Sequence, residues 1–228
     1  MHPVRIIKRI LDKFLGTNKS DELSWKFRHF FDKNWAKSYV SDVAIKHPHR
    51  KLLVDEISKL YPFKKVLEIG SASGANLYLL AKKFSEAKFY GVDVSYNAIN
   101  EGKKFFEKKN IKNVFLKNLT ASQLESFEDK SMDIVFSDAS IIYVGKDKIN
   151  KVFEEIFRIT KKAIILCEQH TEGESFYNVR WIHNYKKIVK KINPNVQINF
   201  TQIPKGIFGG DWDKYGYIIK INLKNEKN

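Results

Sequence analysis

Residues 66–74, Val-Leu-Glu-Ile-Gly-Ser-Ala-Ser-Gly, constrain the fold of this chain more than any other segment. Residues 66–69 form a short, mostly apolar run that reads as a buried strand, and it stops in a loop of glycines and other tiny residues. Past the loop, Leu77, Leu80, Ala81 and Phe84 recur at helical spacing. A strand, a tight small-residue turn and a helix start bring bare backbone N–H groups against a ligand. The segment predicts a nucleotide-like cofactor held by an α/β fold.

Gly70, Ala72 and Ala75 approach the G-x-G-x-x-G/A spacing of dinucleotide-binding folds, where a helix N-terminus takes a pyrophosphate. Glu68 argues against that ligand: a carboxylate two residues before the first glycine repels phosphates and suits positive charge. Read as E-x-G-x-A-x-G, the segment resembles motif I of the class I S-adenosylmethionine-dependent methyltransferases, in their type 11/12-like small-molecule branch. That cofactor carries an ammonium and a sulfonium and no phosphate. The resemblance implies that Glu68, Gly70, Ser71, Ala72 and Gly74 form its cradle. A second apolar strand, residues 88–95, contains Asp93, about 20 residues past the loop, where an acidic side chain accepts hydrogen bonds from ribose hydroxyls. The resemblance assigns Asp93 and Val94 to the ribose, and a helix is expected over 97–106.

Many members of that family place an Asp after the third strand to contact adenine; here Leu119 stands there, so Leu119 and Thr120 are expected to hold adenine through backbone and apolar contact. Residues 132–138 resemble motif IV, whose carboxyl end lies beside the transferred methyl. Asp138 is expected to orient the cofactor's methionine end, to touch substrate, or to cap the helix after it. Residues 163–167 read as a strand buried on both faces. Helices are expected over 149–159 and 180–192. The β-rich runs 196–200 and 215–223 are joined by a connection with no room for a crossover helix, so they must pair antiparallel. The expected fold is an α/β, Rossmann-like class I methyltransferase sandwich. Its seven-stranded sheet is mostly parallel with a reversed C-terminal strand, and an N-terminal helical segment is added. Residues 1–48 are expected to form a cap, 49–223 the S-adenosylmethionine-binding domain and 224–228 a polar tail. A dehydrogenase would need a second βαβαβ half, for which no chain is left.

Methyl transfer from a sulfonium asks a protein mainly for positioning and exclusion of water. A base is needed only for a hydroxyl or protonated amine acceptor. The fifth strand ends in Glu168-Gln169-His170, and the next segment carries Trp181, His183 and Tyr185. His170 is the first candidate base and His183 the second; for each, a purely structural role is the competing reading. Trp35, Tyr39, Trp181, Tyr185 and Trp212 are candidate substrate contacts, with Trp212 equally suited to anchoring its own loop. No metal site is expected.

The net charge of +15 over 228 residues invites a nucleic-acid reading, but only six of the 41 basic residues are arginine. Nucleic-acid faces favour arginine for bidentate phosphate and base contacts, and the lysine pairs are scattered over many segments, so nucleic acid is disfavoured. The Asp-Pro-Pro-Tyr signature of exocyclic base N-methylation is absent: Ser137-Asp138-Ala139-Ser140 stands in its place. The expected acceptor is a small molecule or glycan-pathway intermediate, with O-methylation favoured. RNA methylation, or a scaffold that binds the cofactor without catalysis, are the alternatives. Residues 3–15 pattern as a basic amphipathic helix, suited to the core, a second subunit or an anionic membrane surface. The lone Cys167 excludes an intramolecular disulfide. With no apolar run of spanning length and no secretory signal, the expected location is cytoplasmic, with peripheral membrane contact an option.

Overall fold

The computed structural model describes residues 34–177 and 180–223. The amphipathic pattern at 3–15, the aromatic residues between 25 and 31, and the polar tail lie outside them.

Alternation along the strands generates two cores. In β1 (Lys65–Ile69), Leu67 and Ile69 enter one apolar cluster, while Val66, on the opposite face, enters another. The pattern repeats in β2 (Lys88–Asp93), β3 (Val114–Asn118), β4 (Met132–Asp138) and β5 (Thr160–Gln169), all mutually parallel. A small hairpin, β6 (Ser175–Tyr177) and β7 (Arg180–Ile182), precedes β8 (Gln197–Gln202) and β9 (Gly216–Asn222). The large sheet runs β3-β2-β1-β4-β5-β9-β8. Only β9 is reversed, antiparallel to both β5 and β8. This is the expected seven-stranded sheet with its reversed C-terminal strand.

The chain leads into the sheet through α1 (Trp35–Ser38), α2 (Asp42–Ile45) and α3 (Pro48–Ser58). Leu53, Val54 and Ile57 of α3, Leu77 and Leu80 of α4 (Ala75–Lys83), and Ile99 and Phe106 of α5 (Tyr96–Lys108) cover one face. Val152, Phe153 and Ile156 of α6 (Lys146–Ile159) and Ile188 and Val189 of α7 (Tyr185–Ile192) cover the other. Each such side chain, fully buried, contributes about 1.5–3 kcal/mol. The one-turn α8 (Trp212–Tyr215) sits in the β8–β9 connection. Among the described residues no helix is long and apolar enough to cross a membrane.

One expectation changes. The helix expected over 180–192 starts only at Tyr185, because the Asn184 side chain caps it by accepting from Lys187 N at 2.9 Å. Residues 180–182 instead pair with 175–177, with Phe176 opposite Trp181. The described part of the segment before residue 48 holds two single helical turns. Ser41 separates them, its side chain accepting from Ala44 N as a new N-cap.

β1 is the switch point, with β2 on one side and β4 on the other. Ile69 is level with Val92 and with Ser137. The next residues, Gly70, Asp93 and Asp138, therefore leave the sheet side by side at its carboxyl edge, where open α/β sheets bind ligands.

Candidate active site

Those three residues open onto a cavity of about 380 Å³. Its wall includes Gly70 and Ala72 from the first loop, Asp93 and Val94 after β2, and Leu119 and Thr120 after β3. Asp138, Ser140, Ile141 and Tyr143 close it beyond β4, and Trp35 and Tyr39 cover it. Ser73 Oγ donates to Ala36 O at 2.7 Å, tying this cover to the glycine loop.

The loop itself is tightly determined. Gly70 has φ +72°, and its N–H donates to Val92 O at 2.8 Å. Ser140 reaches across from the β4 side, donating its hydroxyl to Ile69 O at 2.7 Å. Ala72 also takes a left-handed conformation, φ +47°, which its N–H supports by donating to Asp93 Oδ2 at 2.8 Å. Asp93 Oδ1 accepts from Ser95 N at 2.8 Å. Burial raises the Asp93 pKa, and these two hydrogen bonds oppose it.

Behind the loop runs a buried polar chain. Asn76 Nδ2 donates to Glu68 Oε1 at 2.7 Å and to Asp138 Oδ2 at 2.9 Å, joining the two carboxylates. Arg50 donates from Nη1 to Asn76 Oδ1 at 2.8 Å, and the same nitrogen lies 3.4 Å from Asp138 Oδ2. His49 Nε2 stands 3.0 Å from that oxygen too. Burial raises the Asp138 pKa, but hydrogen bonds from His49 and Asn76 and the charge of Arg50 outweigh it and hold the group at about 2. Glu68 lacks so many donors, and burial pushes it well up. Glu68 Oε2 and Asp138 Oδ1 are both buried without a hydrogen-bond partner among the described residues. Burial, then the charge of Asp138, pushes the neighbouring Cys167 thiol up. Burial and Asp138 likewise raise Tyr39 to about 12, with the Arg50 guanidinium 5.4 Å from its ring centre.

Glu168 organises the other wall. Its carboxylate accepts from Ser137 Oγ at 2.8 Å, from Ser140 N and Ile141 N at 3.0 Å, and from Ile142 N at 3.3 Å. These bonds fix the 3₁₀ turn over Ile141–Tyr143 that lines the cavity. Burial pushes Glu168 up to about 7 despite the four donors.

The structure thus brings together Gly70, Ala72, Asp93, Val94, Leu119, Thr120, Asp138, Trp35 and Tyr39. Glu68, Ser71 and Gly74 lie behind the wall: Glu68 faces Asn76, Ser71 is buried under the loop, and Gly74 starts α4 at φ +85°. The remaining five are not on the wall. His170 is buried, its ring tilted against Phe200 at 4.5 Å, with Nδ1 3.3 Å from Tyr185 N. His183 is fully buried, and its Nε2 donates to Val144 O at 3.0 Å, bracing the wall from outside. Trp181 packs on Phe176, Tyr185 on Phe153, and Trp212 stacks on Phe208 at 4.4 Å. Their strand-end and loop positions suggested the cavity, but the hairpin and α7 turn them into supporting packing. Asn76, Arg50, His49, Ser140 and Glu168 carry site geometry that no local motif announces. No cluster of three or more potential metal ligands occurs among the described residues.

Residues 62–222 match a family model described as a methyltransferase domain. The chain is 27% identical over 150 residues to O-methyltransferase 3 of Dictyostelium discoideum, covering 64% of this chain and 32% of that protein. It is 24% identical over 181 residues to phosphoethanolamine N-methyltransferase of Plasmodium falciparum, covering 78% and 62%. The chain thus spans less than two thirds of the length of these curated relatives. The magnesium protoporphyrin IX methyltransferase of Synechocystis PCC 6803, solved with bound S-adenosylmethionine, superposes with a TM-score of 0.64 at 16% identity, covering 90% of this chain and 97% of that one. An S-adenosylmethionine-dependent methyltransferase from Aquifex aeolicus superposes with a TM-score of 0.61 at 16% identity, covering 85% and 100%. At such identity the solved structures speak to the fold, and the family model, matching most of the chain, speaks to kinship. The chain belongs to the methyltransferase-domain family, with the Rossmann-like fold of its class I members.

Proposed function

We propose that this protein is an S-adenosylmethionine-dependent methyltransferase acting on a small-molecule or glycan-pathway acceptor, with O-methylation favoured over N-methylation. One observation carries the cofactor reading. Asp138, held ionised, stands in the wall of a cavity lined by the glycine loop, and its Oδ1 is buried without a hydrogen-bond partner among the described residues. A buried anionic oxygen without a donor favours a cationic ligand and opposes a pyrophosphate. An ammonium fits Asp138, a ribose fits Asp93 and Val94, and adenine fits the apolar stretch at Leu119 and Thr120.

When bound, S-adenosylmethionine supplies an electrophilic methyl group on a sulfonium. The chain's own part is placement. Gly70 and Ala72 let the backbone come close, and Asp138 orients the amino-acid end. Trp35, Tyr39 and Tyr143 exclude water and hold an acceptor in line. Neither His170 nor His183 faces the cavity, so no histidine base is assigned. The O-methyltransferase among the relatives favours an oxygen acceptor, and the phosphoethanolamine enzyme keeps a nitrogen one in the test.

Calorimetry with S-adenosylhomocysteine tests the cofactor reading, with Asp93→Ala and Gly70→Val as controls. Micromolar binding lost in both variants supports it; absence of binding by the unaltered protein refutes it. Transfer of labelled methyl from S-adenosylmethionine into fractionated cell extract then decides the acceptor. Label in small molecules or glycan supports the proposal, and label in RNA overturns it.

A further inference from the structure

Two histidines outside the cavity wall touch each other, and one of them, His49, also touches the Asp138 carboxylate in that wall. His49 Nε2 lies 3.0 Å from Asp138 Oδ2, and His49 Nδ1 lies 2.5 Å from His47 Nδ1. Two ring nitrogens this close hold one proton between them. Two N–H groups would collide, and two imidazolium charges would repel. His49 is buried and His47 is partly exposed, so the pair links Asp138 to solvent. The β8–β9 connection holds it in place: the Phe208 ring lies tilted against His49 at 4.5 Å, lies 5.8 Å from His47, and rests on Trp212.

The groups that face the pair are few. Arg50 comes from its own helix and Asp138 from β4; Asn76 and Glu68 lie beyond Asp138, and Phe208 adds only a ring face. Arg50 keeps its charge at any physiological pH. Tyr39 and Cys167 also face Asp138 and stay neutral at these pH values, while Glu168, raised to about 7, acts on the same Cys167 thiol from the other wall. Near neutrality the charges that vary around Asp138 are therefore those of the histidine pair, Glu68 and Glu168.

We propose that His47 and His49 form a one-proton couple that positions Asp138, and that loss of the couple's extra proton strengthens the hold of this carboxylate on the cofactor's ammonium. The inference rests on the S-adenosylmethionine reading. With the couple neutral, His49 donates Nε2–H to Asp138 Oδ2 and accepts at Nδ1 from His47, so the full carboxylate charge serves the ligand. With the couple protonated, a positive charge lies one hydrogen bond from the place an ammonium must occupy. Glu68 acts in the same direction, since it attracts a cation only after losing its own proton. His49 is thus a positioning residue acting through Asp138.

Carbon-13 nuclear magnetic resonance of the histidine-labelled protein reads the couple directly. As pH falls, the two rings are expected to share a single added proton rather than take one each, because both Nδ1 atoms cannot carry a proton at once. Two separate, complete titrations above pH 5 would overturn the couple. Calorimetry reads the ligand half. Affinity for S-adenosylhomocysteine should rise about fivefold from pH 5.5 to 8, as one nearby charge disappears. Affinity for 5′-methylthioadenosine, which lacks the ammonium, should stay level. His49→Gln keeps an N–H for Asp138 but cannot titrate; it should cut the rise to about twofold, the share left to the carboxyls of Glu68 and Glu168. An unchanged fivefold rise in His49→Gln, or parallel behaviour of the two nucleosides, overturns the proposal. If neither nucleoside binds at any pH, the cofactor reading and the ligand half fall together, and the resonance titration still decides the couple.

Discussion

Gly70 and Ser140 meet where β1 and β4 leave the sheet, so closely that a Cβ on Gly70 would collide with the side chain of Ser140. The contact closes the cavity floor, and Gly70 adds a left-handed φ of +72° that L side chains rarely adopt. Gly70→Ala is expected to lower stability by about 2–4 kcal/mol in chemical denaturation and to weaken S-adenosylhomocysteine binding. Adding Ser140→Gly should relieve the collision and restore part of the stability, leaving about 1 kcal/mol of backbone cost and the loss of the Ser140 hydroxyl's hydrogen bond to Ile69 O. No recovery in the double variant would show that the contact is not the cause.

Asp138 makes stability depend on acid. Its pKa is held at about 2 in the folded protein, below its ordinary 3.8, and a depressed carboxylate stabilises the fold above its unfolded pKa. That contribution is complete above about pH 4 and is lost as pH falls through about 2. Asp138→Asn should lose about 3 kcal/mol at neutral pH, because Arg50 is left buried without its carboxylate. It should also remove about 2 kcal/mol of the acid-dependent loss between pH 4 and 2. Urea titrations at several pH values, run on both proteins, measure the difference.

Glu168 works in the opposite sense. Burial raises it to about 7 in the folded state, from an ordinary 4.5. A raised carboxylate contributes stability that is fully present below its unfolded pKa and fades as pH rises through the folded one. The native protein should lose up to about 3 kcal/mol relative to Glu168→Gln between about pH 4.5 and 8. A Glu168→Gln profile parallel to the native one would show that the four donors keep this carboxylate ionised throughout.

The features legible in the sequence are those written within one short segment or at a fixed offset. β1, its glycine turn and α4 are contiguous, so residues 66–81 announce themselves, and Asp93 comes at the spacing of one βα unit. The antiparallel last pair is dictated by a connection too short for a crossover. The polar chain is different in kind: Asn76 meets Asp138 across 62 positions and His49 meets it across 89, contacts that exist only once β4 lies beside β1. Asn76 reads locally as an ordinary first-turn helix residue, and Glu168 as a neighbour of the more conspicuous His170. The absence of helix over 180–184 has a local cause. Trp181, Ile182 and His183 suit either period, and the choice falls to pairing with Phe176 and the cap at Asn184.

Ser73 ties the aromatic cover to the glycine loop. Its hydroxyl is fully buried and donates to Ala36 O at 2.7 Å, between Trp35 and Tyr39, which both line the cavity. Ser73→Ala leaves a buried carbonyl without its donor, at a cost of about 1–3 kcal/mol. α1 is a single turn, with little hydrogen bonding of its own to resist that loss, so the penalty should appear as opening of the cover. S-adenosylhomocysteine should then dissociate about tenfold faster with little change in association rate, since most differences among related complexes appear in dissociation. Stopped-flow displacement measures both rates. Equal dissociation from the two proteins, with global stability lowered, would mean that Ser73 serves the core and that the cover is held elsewhere.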